Sequence, residues 1–139
     1  MVFFKKKTKK DIKKINWKIK RSCLDLIIES SKTVYPNEFG GMLSVDEKNK
    51  TTISEIVILP GTVQGETHAI FKLHMMPVDF NIIGTVHSHP SHYADPSDAD
   101  LNLFGKHGKI HIIIAYPYNY NSWKAYDYNG KIIDIEIKD

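Results

Sequence analysis

The chain has 139 residues, a formal net charge of +3 and one cysteine, Cys23. That size supports one domain with a substantial core, and a single cysteine excludes an intramolecular disulfide and fits a reducing, cytoplasmic setting. Apolar residues make up 42% and charged residues 25%, a balance that does not demand nucleic acid as a partner, and no apolar run reaches the length of a membrane span.

The excess charge sits in Lys5-Lys6-Lys7-Thr8-Lys9-Lys10 and Lys13-Lys14. Residues 1–14 therefore read as a solvated basic segment and 15–139 as the folded domain. Its opening lacks the pattern of a signal peptide. Arg21 is the lone arginine, so guanidinium clamping of a phosphate or carboxylate elsewhere is excluded. Residues 17–34 predict one amphipathic helix with Ile19, Cys23, Leu26, Ile27 and Val34 on its apolar side, stopped by Pro36. Cys23 reads as a small core residue rather than a nucleophile. Glu38–Val45 and Thr51–Leu59 predict a hairpin across the polar turn at 46–50. Gln64–Leu73 predicts a third strand and Met75-Met76-Pro77 a bend or short helix. Asn81–His87 predicts a central strand ended by Pro90, and Ser97–Lys106 a helix ended near Gly105 or Gly108. Lys109–Tyr116 predicts a strand, and Ser122–Asp127 and Lys131–Lys138 flank the hairpin turn Asn129-Gly130. The fold class is α/β: one domain, a mixed β-sheet packed with helices.

The chemistry concentrates in Gly84–Asp100. In a strand, residues i and i+2 share a face, so His87 and His89 aim at one point. Ten residues then separate His89 from Asp100, enough for the chain to loop back with a carboxylate. Two imidazoles and a carboxylate leave a fourth tetrahedral position for water, the pattern of a catalytic zinc site. Taken alone, a His-x-His pair is more often incidental than metal-binding. Ser97-x-x-Asp100 also has the form of a helix cap with an acidic third residue, a reading that competes in part with Asp100 as a ligand.

His87-Ser88-His89-Pro90 followed by Ser97-Asp98-Ala99-Asp100, with Glu38 upstream, resembles the JAMM (MPN-plus) metalloprotease family. The likeness runs from about Ile19 to the C-terminus, includes Tyr35-Pro36-Asn37-Glu38-Phe39 and Ser122-Trp123-Lys124, and is strongest to the short stand-alone archaeal members. It implies the family's sandwich fold, whose layering is broadly that of the cytidine deaminases. It also implies one catalytic Zn2+ on His87, His89 and Asp100, Glu38 as general base and then acid, and Ser97 as hydrogen-bond donor to the oxyanion. Without the resemblance, Glu38 is an ordinary carboxylate at a strand start. Ser88 faces away from the ligands and receives no catalytic role.

The activity implied is a deubiquitinase-like isopeptidase. It cuts between the C-terminal Gly-Gly of a ubiquitin-like small modifier and a lysine amine, and the extended tail is held by strand addition. The alternative is a processing peptidase for sulfur-carrier proteins of the same fold. Only 39 residues follow Asp100, which leaves no room for the long insertion of linkage-selective relatives. Among the other histidines, His92 belongs to the loop over the site, His68 and His74 flank the third strand as candidate lining of the substrate groove, and His107 and His111 are structural. Tyr116, Tyr118, Tyr120, Trp123 and Tyr126 read as core and rim packing.

Competing chemistries fit less well. A non-haem iron oxygenase uses the same donor set, but no spare arginine is present to hold an oxoacid. A zinc deaminase needs Pro-Cys-x-x-Cys, which one cysteine excludes. A metal-free binding scaffold would not need every motif residue.

Overall fold

The computed structural model describes residues 14–58 and 81–139. The basic segment up to residue 13, the strand expected at Gln64–Leu73, the bend or short helix at Met75-Met76-Pro77 and both His68 and His74 lie outside the described residues. The elements run β1 (Trp17–Lys20), α1 (Arg21–Val34), β2 (Gly40–Val45), β3 (Thr52–Ile58), β4 (Ile82–His89), α2 (Asp98–Lys106), β5 (Ile110–Ala115), β6 (Trp123–Tyr126), β7 (Ile132–Ile133) and β8 (Ile135–Lys138). The strands form one mixed sheet in the order β7-β6-β5-β4-β2-β3-β1-β8. β2 is antiparallel to β3 and β4, β4 is parallel to β5, and β1 is parallel to β3 and β8.

A helix covers each face of the sheet, and β5 shows how. Ile112 and Ile114 join the core beneath α1, with Cys23, Leu24, Ile27, Phe39 and Val86. Ile113 and Ala115, one residue out of phase, join Leu103 and Phe104 of α2. This period-2 alternation is that of a strand buried on both sides. Each fully buried Leu or Ile here contributes about 1.5–3 kcal/mol relative to exposure. β4 obeys the same alternation: Val86 and Ser88 face α1, so His87 and His89 face α2.

Two of the sequence expectations are corrected. The helix predicted over 17–34 begins at Arg21, and Trp17–Lys20 is strand β1. Ile19 is buried in either conformation, so the apolar pattern does not discriminate. Pairing with β8, from Trp17↔Ile135 to Lys20↔Lys138, decides it. Leu26 is 48% exposed, and Leu24 and Ile28 take the inward places instead. The segment expected as one strand over Lys131–Lys138 divides as well. β7 closes the hairpin on β6, whereas β8 crosses to the far edge of the sheet. Four strands, not three, therefore follow α2.

β4 and β5 approach unusually closely. A Cβ on Gly84 would sit 1.6 Å from the Ile110 carbonyl oxygen, and one on Gly108, where φ is +114°, would lie 2.3 Å from the Ile83 oxygen. Only glycine permits this return of the chain from α2 to the sheet beside the histidines.

Candidate metal centre

β4 delivers His87 and His89, and the first turn of α2 delivers Asp100. The ligand atoms converge tightly. His87 Nε2 lies 3.1 Å from His89 Nε2, Asp100 Oδ1 lies 3.2 Å from His87 Nε2, and Asp100 Oδ2 lies 3.2 Å from His89 Nε2. With metal–nitrogen bonds of 2.0–2.1 Å, a tetrahedral zinc site has ligand–ligand edges of about 3.3–3.4 Å. The three donors fit one such ion and leave the fourth position open. His87 is fully buried and Asp100 nearly so, so only the His89 side is reached by solvent.

Hydrogen bonding prepares His89 for this role. Its Nδ1–H donates to the Tyr93 carbonyl at 2.9 Å, which leaves the Nε2 lone pair directed at the cluster. His87 Nδ1 is buried with no hydrogen-bond partner among the described residues, so the polar contacts of that ring are made through Nε2. Burial opposes charge on His89, but Asp100, the Tyr93 carbonyl and the negative charge of Glu38 outweigh it and raise its pKa. Burial likewise opposes ionisation of Asp100, yet the two imidazoles and the Ser97 amide hold its carboxyl well below the usual range. A carboxylate is therefore present at the point where two imidazole Nε2 atoms meet, an arrangement that a cation satisfies.

The two readings of Ser97-x-x-Asp100 coexist rather than compete. Ser97 Oγ accepts the Asp100 amide at 3.1 Å, and Asp100 Oδ2 accepts the Ser97 amide at 3.0 Å. A carboxylate offers about four lone-pair sites on two oxygens, so one group closes the capping box and still presents ligand atoms. Because Ser97 Oγ acts as acceptor in the cap, its own O–H is left to donate, and the residue is solvent-exposed beside the centre.

Glu38 precedes β2. Beyond the pair Gly40↔His87, the Ser88 N–H donates to the Phe39 carbonyl at 2.9 Å, so Phe39 lies beside Ser88 and Glu38 is the next residue out along the chain. Phe39 is buried on the α1 side. The charge of Glu38 is felt at both His89 and Tyr118.

Tyr118 and Tyr126, read from the sequence as packing, also make hydrogen bonds that support the site. Tyr118, whose φ is +61°, donates its hydroxyl to the His89 carbonyl at 3.2 Å. Tyr126 donates to the Ala94 carbonyl at 2.7 Å and ties down the loop between β4 and α2. His111 is structural, as expected. Its Nε2–H donates to the Gly108 carbonyl at 2.9 Å, its Nδ1 accepts the Thr85 hydroxyl at 2.7 Å, and its ring stacks on Phe104. His92 lies in the loop with its ring 5.3 Å from that of Tyr116. Ser88 was readable in principle, because a hydroxyl in a strand buried on both faces needs a partner.

Fold and donor set together define a mixed-sheet α/β protein with a three-donor, open metal centre. Comparison with known proteins places it more narrowly. The family described as "Prokaryotic homologs of the JAB domain" matches residues 20–126, and the chain belongs to that family. A "Probable metalloprotease" of Haloferax volcanii is 36% identical over 128 residues, spanning 87% of this chain and 79% of that protein. Among solved structures, one described as "JAMM: A Metalloprotease-like Zinc Site in the Proteasome and Signalosome" is 35% identical with a TM-score of 0.71, covering 89% of this chain and 99% of that one. A JAB1/MPN domain protein from Archaeoglobus fulgidus is 35% identical with a TM-score of 0.69, covering 89% of this chain and 98% of that one. No described helix is long and apolar enough to cross a membrane.

Proposed function

We propose that the protein is a zinc-dependent isopeptidase that hydrolyses the bond between the C-terminal Gly-Gly of a ubiquitin-like modifier and a lysine amine. The observation that carries the reading is the convergence of His87, His89 and Asp100, and the charge of Glu38 felt at His89 supports it. Zinc held by these three side chains would supply Lewis acidity and would lower the pKa of a bound water toward about 7.

The chain's own residues do the rest. Glu38 accepts the proton of the attacking water as its oxygen bonds to the amide carbon. The Ser97 O–H donates to the oxygen that gains negative charge. Glu38 then returns the proton to the lysine nitrogen as the C–N bond breaks, leaving a carboxylate on the modifier and a free amine. Gly-Gly at the cleavage point suits a narrow approach, because the missing Cβ atoms let the substrate backbone come close.

The test is hydrolysis of Gly-Gly isopeptide conjugates with and without chelator. Cleavage that chelator abolishes and zinc restores is expected, with a strong fall in kcat/KM when the penultimate glycine is made bulky. Equal cleavage of unfolded casein would make it a general peptidase. Trimming confined to extended sulfur-carrier proteins would establish the processing role instead.

A further inference from the structure

We infer that Ser88, the residue between the two histidine ligands, is a positioning residue for Glu38. It acts through the Phe39 peptide rather than through the metal. The inference rests on the proposed role of Glu38 as the proton carrier.

The hydrogen bonds make the argument. Phe39 and Ser88 face each other across β2 and β4, one step beyond the pair Gly40↔His87. In an ordinary antiparallel pair at such a position, the two residues exchange both N–H···O=C bonds. Here only one is made in the usual way, from the Ser88 N–H to the Phe39 carbonyl at 2.9 Å. The other donor, the Phe39 N–H, is taken by Ser88 Oγ at 2.7 Å. Both polar groups of Phe39 are thus held by one residue, which is fully buried.

This has a geometric consequence. The Phe39 N–H belongs to the peptide unit that Glu38 begins, so fixing it fixes the backbone from which the Glu38 side chain springs. The Phe39 ring is locked into the core on the α1 side, and the charge of Glu38 is felt at His89. The Ser88 backbone carries ligands on both sides, so the same short segment sets the histidines and the carboxylate relative to one another. A shift of about 1 Å in a proton-transfer group costs up to roughly 100-fold in rate, which gives such a clamp its kinetic weight.

Ser88→Ala removes the acceptor and leaves the ligands untouched. Expected are wild-type zinc content, a kcat lowered by about ten- to a hundredfold and a KM little changed. In the metal-free protein, faster amide exchange at Phe39 is expected. A Glu38→Gln background separates positioning from general loosening, since Ser88→Ala should then lower the residual single-turnover rate little further. The inference is overturned if Ser88→Ala turns over like wild type, if it costs as much in the Glu38→Gln background as alone, or if the wild-type Phe39 amide exchanges as an unprotected peptide. Those outcomes, with Glu38→Gln inactive, leave the isopeptidase reading standing. Wild-type turnover by Glu38→Gln would overturn the role of Glu38 and this inference with it.

Discussion

Ser97 and Asp100 hold each other by two reciprocal hydrogen bonds, 3.1 Å from the Asp100 amide to Ser97 Oγ and 3.0 Å from the Ser97 amide to Asp100 Oδ2. The start of α2 and the third metal donor are therefore one structure. The cap that begins the helix also orients the carboxylate toward both histidines, so a substitution at Ser97 acts on folding and on the site together.

Ser97→Ala should lower kcat by ~10²–10³ with little change in KM, from loss of the oxyanion donor, and should cost about 1 kcal/mol of stability from loss of the cap. Ser97→Asp keeps an acceptor for the Asp100 amide but has no proton to donate. It should recover most of the stability and none of the turnover. Denaturant unfolding and steady-state kinetics on both variants check this, and full activity in Ser97→Asp removes Ser97 from the chemistry.

Metal content gives a second measurement. Protein purified without added metal should carry about one zinc per chain, as a site with three protein ligands and an open position requires. His89→Ala should lose zinc and activity together. Elemental analysis showing full occupancy in a variant lacking both His87 and His89 would sink the assignment.

Glu38→Gln preserves size and removes proton acceptance. Zinc content, fold and conjugate binding should persist while turnover is lost. Binding measured by titration and cleavage measured separately distinguish a lost base from a lost ligand, and near wild-type hydrolysis in zinc-replete buffer shows that another group moves the proton.

His111 predicts an acid limit that the metal-free chain shows. Burial is the main force pushing its pKa down from 6.5 to about 4. Between those values the unfolded chain binds the proton that the folded chain refuses, so stability falls as pH falls. The contribution is complete above pH 6.5, declines through that window, and by about pH 4 has cost roughly 3 kcal/mol. Urea unfolding of the metal-free chain from pH 7 to pH 4 should show this slope. His111→Gln should flatten it, and identical slopes would assign the acid sensitivity to other groups.

The parts of this molecule that were legible in the sequence are those set over a few residues. Alternation along β4 puts His87 and His89 on one face whatever the rest of the chain does, because the side-chain period of a strand is fixed. The spacing of Ser97 and Asp100 encodes a cap that needs only the first turn of α2. The hairpins β2–β3 and β6–β7 follow from short polar turns. Long-range pairing decided the remainder. Trp17–Lys20 is a strand because β8, more than 110 residues later in register, lies beside it, and no local pattern separates that outcome from another turn of helix. The charge of Glu38 is felt at His89 only because β2 pairs with β4, and Ser88 meets the Phe39 amide only when the same two strands become neighbours. A hydrogen bond between residues 49 positions apart depends on which strands become neighbours. The free energy of burying the sheet between two helices decides that, and it belongs to the whole chain rather than to any segment of it.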